Sequence, residues 1–133
     1  MGLKRLLDTN AYTAFKQGHA AVGALVREAE EMIFSTVVLG ELLFGFRYGT
    51  RWQNNHAELE AFLAHPAVIL QPVSKTTADR FGRIAATLRS TGKPIPTNDI
   101  WISAHAMETG AELITLDRHY ENVAGLAAII LPT

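Results

Sequence analysis

The sequence predicts an α/β fold, a three-layer α/β/α sandwich around a mostly parallel central sheet. Short apolar segments alternate along the chain with segments of helical periodicity, which is the order of elements in βαβ units. The apolar segments run without regular polar interruptions, as do strands that helices cover on both faces. The chain has 133 residues, 48% of them hydrophobic, which suits one domain over residues 1–133.

The first half of the chain contains the first two predicted strands. An apolar segment interrupted by Lys4 and Arg5 stops at Asp8, and the next residues, Thr9 and Asn10, are common at helix N-caps. A glycine breaks the helical pattern that follows. The elements predicted here are a strand at 3–7, helices at 11–16 and 20–29, a strand at 32–35, and a helix at 37–48 that Thr36 can cap.

The second half continues the same alternation. Leu59, Phe62 and Leu63 fall on one stripe of an amphipathic helix. A longer helical pattern ends at Gly92, where a C-terminal glycine is expected, and the prolines that follow it interrupt helical structure. The elements predicted here are helices at 51–64, 74–91 and 97–109 and strands at 68–70, 113–116 and 129–131.

Composition excludes several classes of protein. The absence of cysteine excludes a disulfide scaffold, a cysteine zinc site and a thiol nucleophile. No apolar stretch approaches the ~18 residues of a membrane span, and the first residues lack a long apolar segment, so we expect a cytoplasmic protein without membrane contact. The net charge is −1, so a nucleic-acid function must be argued from a site rather than from overall charge.

Four acidic residues occupy positions from which they can share a cleft. Asp8 ends the first predicted strand and Asp117 follows the fourth, and ligands of parallel α/β sheets bind beyond the carboxyl ends of strands. Glu41 interrupts an apolar segment, and Asp99 lies in the first turn of a predicted helix. Each acid also has a structural explanation: Asp8 and Asp99 as helix-terminal residues, Asp117 as a turn residue and Glu41 as a side chain that snorkels to solvent or forms a salt bridge.

Taken together, the four carboxylates indicate a metal site. Like charges this close cannot all stay ionised without a cation. Oxygen ligands without cysteine favour a hard ion, so Mg²⁺ is expected and Mn²⁺ is an alternative. Such ions polarise a phosphoryl oxygen and activate a water for in-line attack.

The segments around these acids resemble one family. They are residues 6–10 (LLDTN), 35–42 (STVVLGEL), 98–106 (NDIWISAHA) and 113–120 (LITLDRHY). In this order and in a chain of this length, they resemble the PIN-domain ribonucleases, and most of all the VapC toxins of toxin–antitoxin pairs.

The resemblance implies a Mg²⁺-dependent endoribonuclease that leaves a 5′-phosphate and a 3′-hydroxyl. Asp8, Glu41, Asp99 and Asp117 would be its catalytic and metal-binding acids. It also implies a homodimer, or a larger assembly, that is silenced when an antitoxin protein inserts a segment into the active-site groove. Asn10 and Thr115 fit the supporting polar positions, although Asn10 can equally be a helix cap and Thr115 an ordinary strand residue.

Several other residues receive a structural interpretation. His105 and Trp101 are expected in the core, with an interface as a second possibility for His105. His119 is expected in a solvated turn, with RNA contact as the alternative. Asn98 is expected to cap a helix and to take no part in chemistry. An aromatic segment, Phe44, Phe46, Tyr48 and Trp52, suits a partner or dimer surface, or base stacking.

Three other functions are alternatives to a ribonuclease. A haloacid-dehalogenase-like phosphatase needs a second Asp two residues after the first, where this chain has Asn10. A phosphoacceptor receiver needs an Asp at the end of a mid-chain strand, but no Asp lies between Asp8 and Asp79. A PIN-like protein that binds partners without catalysis remains open, although all four acids are present.

Overall fold

The computed structural model describes residues 2–133; Met1, which begins the predicted domain, lies outside the described residues. Within that range the chain forms five strands, six α-helices and one 3-10 helix. In chain order they are β1 (Lys4–Leu7), α1 (Thr9–Lys16), α2 (Ala20–Glu28), β2 (Glu31–Ser35), α3 (Thr36–Tyr48), α4 (Trp52–Leu63), β3 (Val68–Gln71), α5 (Lys75–Thr91), α6 (Thr97–Thr109), β4 (Glu112–Thr115), the 3-10 helix (Arg118–Asn122) and β5 (Ala128–Ile130).

The strands form one sheet in the order β3-β2-β1-β4-β5. Every neighbouring pair is parallel, so the predicted α/β fold class is confirmed and the sheet is parallel throughout. Leu6 of β1 pairs with Ile33 of β2 on one side and with Leu113 of β4 on the other. The chain first builds the sheet outward from β1 to β3 and then adds β4 on the opposite side. The strand order therefore reverses between β1 and β4, where parallel α/β sheets bind their ligands.

The core explains the continuous apolar strands. Leu6 of β1 and Leu113 and Ile114 of β4 are fully buried because these inner strands have neighbours on both sides and helices above and below. Val38 of α3 and Ile102 of α6 pack into the same cluster. A second, smaller cluster joins α5 to α6. No helix in the described part of the chain is long and apolar enough to span a membrane.

The structure corrects several local predictions. The side chain of Asp8, not of Thr9 or Asn10, caps α1, and Ser35 rather than Thr36 caps α3. In both cases the strand runs directly into the helix, so the residue at the junction turns back to the first free N–H groups. Asn98 does not cap α6, because Pro96 holds the N-cap position and no side-chain cap is formed. The 3-10 helix after β4 was not predicted.

Candidate active site

The four predicted acids lie at the carboxyl edge of the sheet, around the point where the strand order reverses. Asp8 directly follows β1, and Asp117 follows β4 after one intervening residue. Asp99 lies in the first turn of α6, and Glu41 lies in the second turn of α3. No Lys or Arg in residues 2–133 forms an ion pair with any of them. Lysine and arginine side chains of the described residues therefore do not neutralise this negative charge.

Asp8 is the most enclosed of the four acids, with 5% of its surface exposed. Its Oδ1 accepts a hydrogen bond of 2.9 Å from the Ala11 N–H, and its Oδ2 accepts one of 2.5 Å from the Thr115 hydroxyl. Burial, together with the charges of Asp99 and Asp117, raises the pKa of Asp8 to about 6, although its two hydrogen bonds act to lower the pKa. Asp8 therefore caps α1 and is also a buried carboxylate whose ionised form a cation would stabilise.

Thr115 connects Asp8 to the segment after β4. Its buried hydroxyl donates to Asp8 and accepts a hydrogen bond of 3.0 Å from the Asp117 N–H. A hydroxyl can donate once and accept at the same time, so both acids are positioned by one side chain. Asn10, the other predicted supporting residue, is exposed and its side chain forms no hydrogen bond with any described residue.

Glu41 is half-buried and is held by two neutral donors. Its Oε1 accepts a hydrogen bond of 2.5 Å from the Thr9 hydroxyl, and its Oε2 accepts one of 3.2 Å from the Asn98 amide. The salt-bridge explanation is not supported, because no basic side chain of the described residues pairs with Glu41. Thr9 and Asn98 were predicted as possible caps; their side chains instead position this carboxylate.

Asp99, Asp117 and His119 form the tightest group of potential ligands. One ligand atom from each lies within 4.8 Å of the others. Burial raises the pKa of Asp99, and nearby Glu41 adds to this, while contacts with Tyr120 and His119 lower it. The helix-cap explanation of Asp99 is not supported, since among the described residues no backbone N–H of α6 donates to its side chain.

His119 is a site residue that sequence reasoning placed in solvent. Its Nε2 lies 2.6 Å from Asp99 Oδ2 and its Nδ1 lies 2.8 Å from Asp117 Oδ1. Asp117 caps the 3-10 helix through the His119 N–H, and this tight turn directs the imidazole back between the two acids. The sequence feature that could have indicated His119 is its position two residues after Asp117. That spacing alone does not show the direction of the imidazole ring.

Tyr120 adds a buried hydroxyl beside the acids. The residue is 2% exposed, and its hydroxyl lies beside the Asp99 carboxylate without forming an aligned hydrogen bond. Burial raises the pKa of Tyr120, as do the charges of Asp8 and Asp99, so the hydroxyl stays protonated. Carboxylate oxygens, an imidazole and a free hydroxyl in one partly enclosed place fit a divalent cation with its waters.

Of the two predicted core residues, His105 lies in the core as expected, whereas Trp101 is only half-buried. His105 is fully buried, with Nδ1 2.8 Å from the Ser35 hydroxyl and Nε2 3.1 Å from the Pro72 carbonyl, and burial lowers its pKa. Trp101 stacks on Phe81, with ring centroids 4.0 Å apart. His105 lies nearly two turns along α6 from Asp99, whereas Trp101 follows Asp99 by two residues and packs against α5.

The predicted aromatic segment divides into an exposed pair and a partly covered pair. Phe44 and Tyr48 are 65% and 79% exposed and contact each other edge to face. Phe46 is half-buried, and the Arg47 guanidinium lies over the Trp52 ring at 4.0 Å. Beside them a groove of about 440 Å³ lies between α1, α3 and α4, with Tyr12, Lys16 and Glu58 in its lining.

Comparisons with known proteins agree over nearly the whole chain. The model of the PIN domain family matches residues 5–126. Ribonuclease VapC2 of Haemophilus influenzae is 33% identical over 128 residues, or 93% of this chain and 95% of that protein. The tRNA(fMet)-specific endonuclease VapC of Shigella flexneri is 31% identical over 127 residues, with the same coverage. The crystal structure of DNA-bound VapBC from Salmonella typhimurium is 25% identical, with a TM-score of 0.82 over 96% of this chain and 98% of that chain.

Proposed function

The chain belongs to the PIN domain family and, within it, to the VapC-type proteins, and from this premise we propose that it is the toxin of a type II toxin–antitoxin pair. Its activity is endoribonucleolytic: it hydrolyses RNA phosphodiester bonds with a divalent metal ion. The observation that carries this proposal is the group of four carboxylates at the carboxyl edge of the sheet, for which the described residues offer no lysine or arginine partner.

The proposed cofactor is Mg²⁺, with Mn²⁺ as an alternative, and Asp8, Glu41, Asp99 and Asp117 are the acids that hold it directly or through water. A bound divalent ion supplies Lewis-acid polarisation of the phosphodiester and a more acidic water for in-line attack. The raised pKa of Asp8 and Asp99 supports this assignment, since both carboxylates gain from a nearby cation.

Neighbouring side chains orient these acids for metal binding through hydrogen bonds. Thr115 fixes Asp8 and the start of the Asp117 segment, so the acids at the ends of β1 and β4 keep a constant separation. Thr9 and Asn98 fix both oxygens of Glu41. Such hydrogen bonds orient ligating carboxylates and reduce the reorganisation needed when a metal and substrate bind.

The proposed substrate is a structured RNA in the cytoplasm. One relative is named a tRNA(fMet)-specific endonuclease, which makes transfer RNA the first substrate to test. Arg118 is exposed next to Asp117, where it can contact a phosphate beside the acids.

The proposed partner is an antitoxin encoded by an adjacent gene, and the toxin itself is proposed to be a homodimer. A VapBC complex shares this fold, which supports a protein partner. The exposed Phe44 and Tyr48 provide apolar surface, and the neighbouring groove is lined mainly by polar and charged side chains, so together they offer the two kinds of contact that an amphipathic segment needs.

The experiment that tests this function joins a cellular and a purified assay. Expression of this chain alone should arrest growth, co-expression of the antitoxin should relieve the arrest, and mapped RNA ends should show cleavage at defined sites. The purified protein should cut structured RNA with Mg²⁺ and not with chelator. Asp79→Asn, on the exposed face of α5, is the matched control for loss of one carboxylate and should remain active.

Two results would contradict the proposal. Harmless overexpression of soluble, intact protein would count against a toxin. Binding of RNA without any cleavage at any metal concentration would favour a PIN-like protein that only binds its partners.

A further inference from the structure

The imidazole of His119 lies between two of the acids, with one ring nitrogen close to each. Nε2 lies 2.6 Å from Asp99 Oδ2 and Nδ1 lies 2.8 Å from Asp117 Oδ1, so each ring nitrogen faces a carboxylate oxygen. Nε2 is closed off from solvent, yet it forms no aligned hydrogen bond within residues 2–133. A buried nitrogen close to an oxygen but without a hydrogen bond is costly unless another group joins them.

A second buried group points to the same place. The Tyr120 hydroxyl is enclosed, lies beside Asp99 and also lacks a hydrogen-bond partner among the described residues. Buried hydroxyls usually find a partner. Two adjacent buried polar atoms, one from His119 and one from Tyr120, thus lie close to Asp99 without an aligned hydrogen bond, which fits a site that a ligand with its waters completes.

The spacing of the donors suits a small metal ion. Ligands at 2.0–2.1 Å from an octahedral ion lie about 3 Å apart when adjacent and about 4 Å apart when opposite. The atoms of Asp99, Asp117 and His119 all lie within 4.8 Å of one another. The ring nitrogens of His119 lie 2.6 and 2.8 Å from the carboxylate oxygens of Asp99 and Asp117. These side chains need to move apart only slightly to reach the separation of about 3 Å between adjacent ligands.

We propose that His119 is a direct metal ligand through Nε2, beside Asp99 and Asp117, and that this imidazole makes the site prefer Mn²⁺ to Mg²⁺. Imidazole nitrogen binds first-row transition ions well, whereas Mg²⁺ favours oxygen ligands and retains its water. The inference rests on the proposed metal-dependent function and changes its expected cofactor. Asp8 and Glu41, whose oxygens already accept hydrogen bonds from the protein, complete the site through the waters of the ion.

Two substitutions separate the ligand role of His119 from its packing role. His119→Asn keeps a nitrogen donor near the position of Nδ1, so the Asp117 contact can persist while the Nε2 ligand is lost. His119→Gln places an amide near the position of Nε2, where its oxygen can bind Mg²⁺ and its nitrogen cannot replace an imidazole. His56→Asn on α4 is the matched control for a histidine beside an acid, since His56 Nε2 lies 3.5 Å from Glu60.

Metal binding is measured without RNA. Mn²⁺ binding is followed by the electron paramagnetic resonance signal of the free ion, and Mg²⁺ binding by its displacement of bound Mn²⁺. In His119→Asn the Mn²⁺ affinity should fall at least about 10-fold, with a much smaller change for Mg²⁺. His119→Gln should lose the preference for Mn²⁺ but keep Mg²⁺ binding, and His56→Asn should match the wild type.

Three results would overturn the inference. Unchanged Mn²⁺ binding in His119→Asn would show that His119 is not a ligand. Tighter binding of both ions in the His119 variants would show that the imidazole competes with the metal for the two acids and is not a ligand. An equal loss for both ions in both variants, with a lower melting temperature in chelator, would show a purely structural role.

RNA cleavage by the wild-type protein is measured separately, so the two proposals can fail independently. Cleavage with unchanged metal binding in the His119 variants would overturn the ligand role and leave the ribonuclease intact. Metal binding that depends on His119, without cleavage of any RNA, would support the ligand role and overturn the ribonuclease proposal.

Discussion

The burial of Asp8 predicts a specific dependence of stability on pH in the metal-free protein. Asp8 carries a pKa of about 6 in the folded chain, against 3.8 for a free side chain. The folded state therefore binds this proton more tightly than the unfolded state. The stabilisation is fully present below about pH 4 and is lost as the pH rises through about 6.

The magnitude follows from the two pKa values. At about 1.4 kcal/mol for each pKa unit, ionisation of Asp8 removes about 3 kcal/mol from the free energy of unfolding as the pH rises from about 3 to about 8, and most of this loss falls between pH 4 and pH 7. Asp8→Asn removes the charge and keeps an oxygen for the Ala11 N–H, while the Thr115 hydroxyl can rotate to accept from the new amide. Relative to wild type, Asp8→Asn should therefore gain about 3 kcal/mol over this pH range.

The assay is urea unfolding in chelator at several pH values, with wild type and Asp8→Asn compared at each pH. The difference between them isolates Asp8 from the other titrating groups. Saturating divalent metal should recover most of the lost stability in wild type and little in the variant. A difference that stays constant from pH 4 to pH 7 would refute the argument, because it would mean that the Asp8 charge is not penalised by burial.

Three further variants test the remaining acids and their support. Glu41→Gln should raise the melting temperature in chelator, because it removes a like charge, and should abolish RNA cleavage; lower melting with cleavage retained would assign Glu41 to the fold. Asp99→Asn should fold normally, lose most cleavage at ordinary Mg²⁺ and keep RNA binding, whereas a wild-type cleavage rate would remove Asp99 from the site. Thr115→Val should cost about 1–3 kcal/mol of unfolding free energy and reduce cleavage, since the Asp117 N–H loses its acceptor; unchanged urea unfolding would contradict this.

Sequence reasoning did not find the long-range partners of two residues at the site. Asn98 is a residue type that is common at helix caps, but its side-chain amide donates a hydrogen bond to Glu41, 57 residues away. Thr115 could be an ordinary strand residue, but it reaches Asp8, 107 residues away. Asn10, for which the sequence offers a supporting role or a helix cap, is exposed and does not cap α1.

By itself the sequence determined the α/β class, the order of elements and the acids worth testing, because apolar periodicity, caps and strand ends are local properties. Only the tertiary structure decided the strand order β3-β2-β1-β4-β5 and the reversal between β1 and β4. It also decided that His119 turns inward between Asp99 and Asp117. The direction of a side chain in a short turn depends on what packs against that turn. For His119 those contacts come from α6, and the position of α6 is set only when the sheet and the helices assemble.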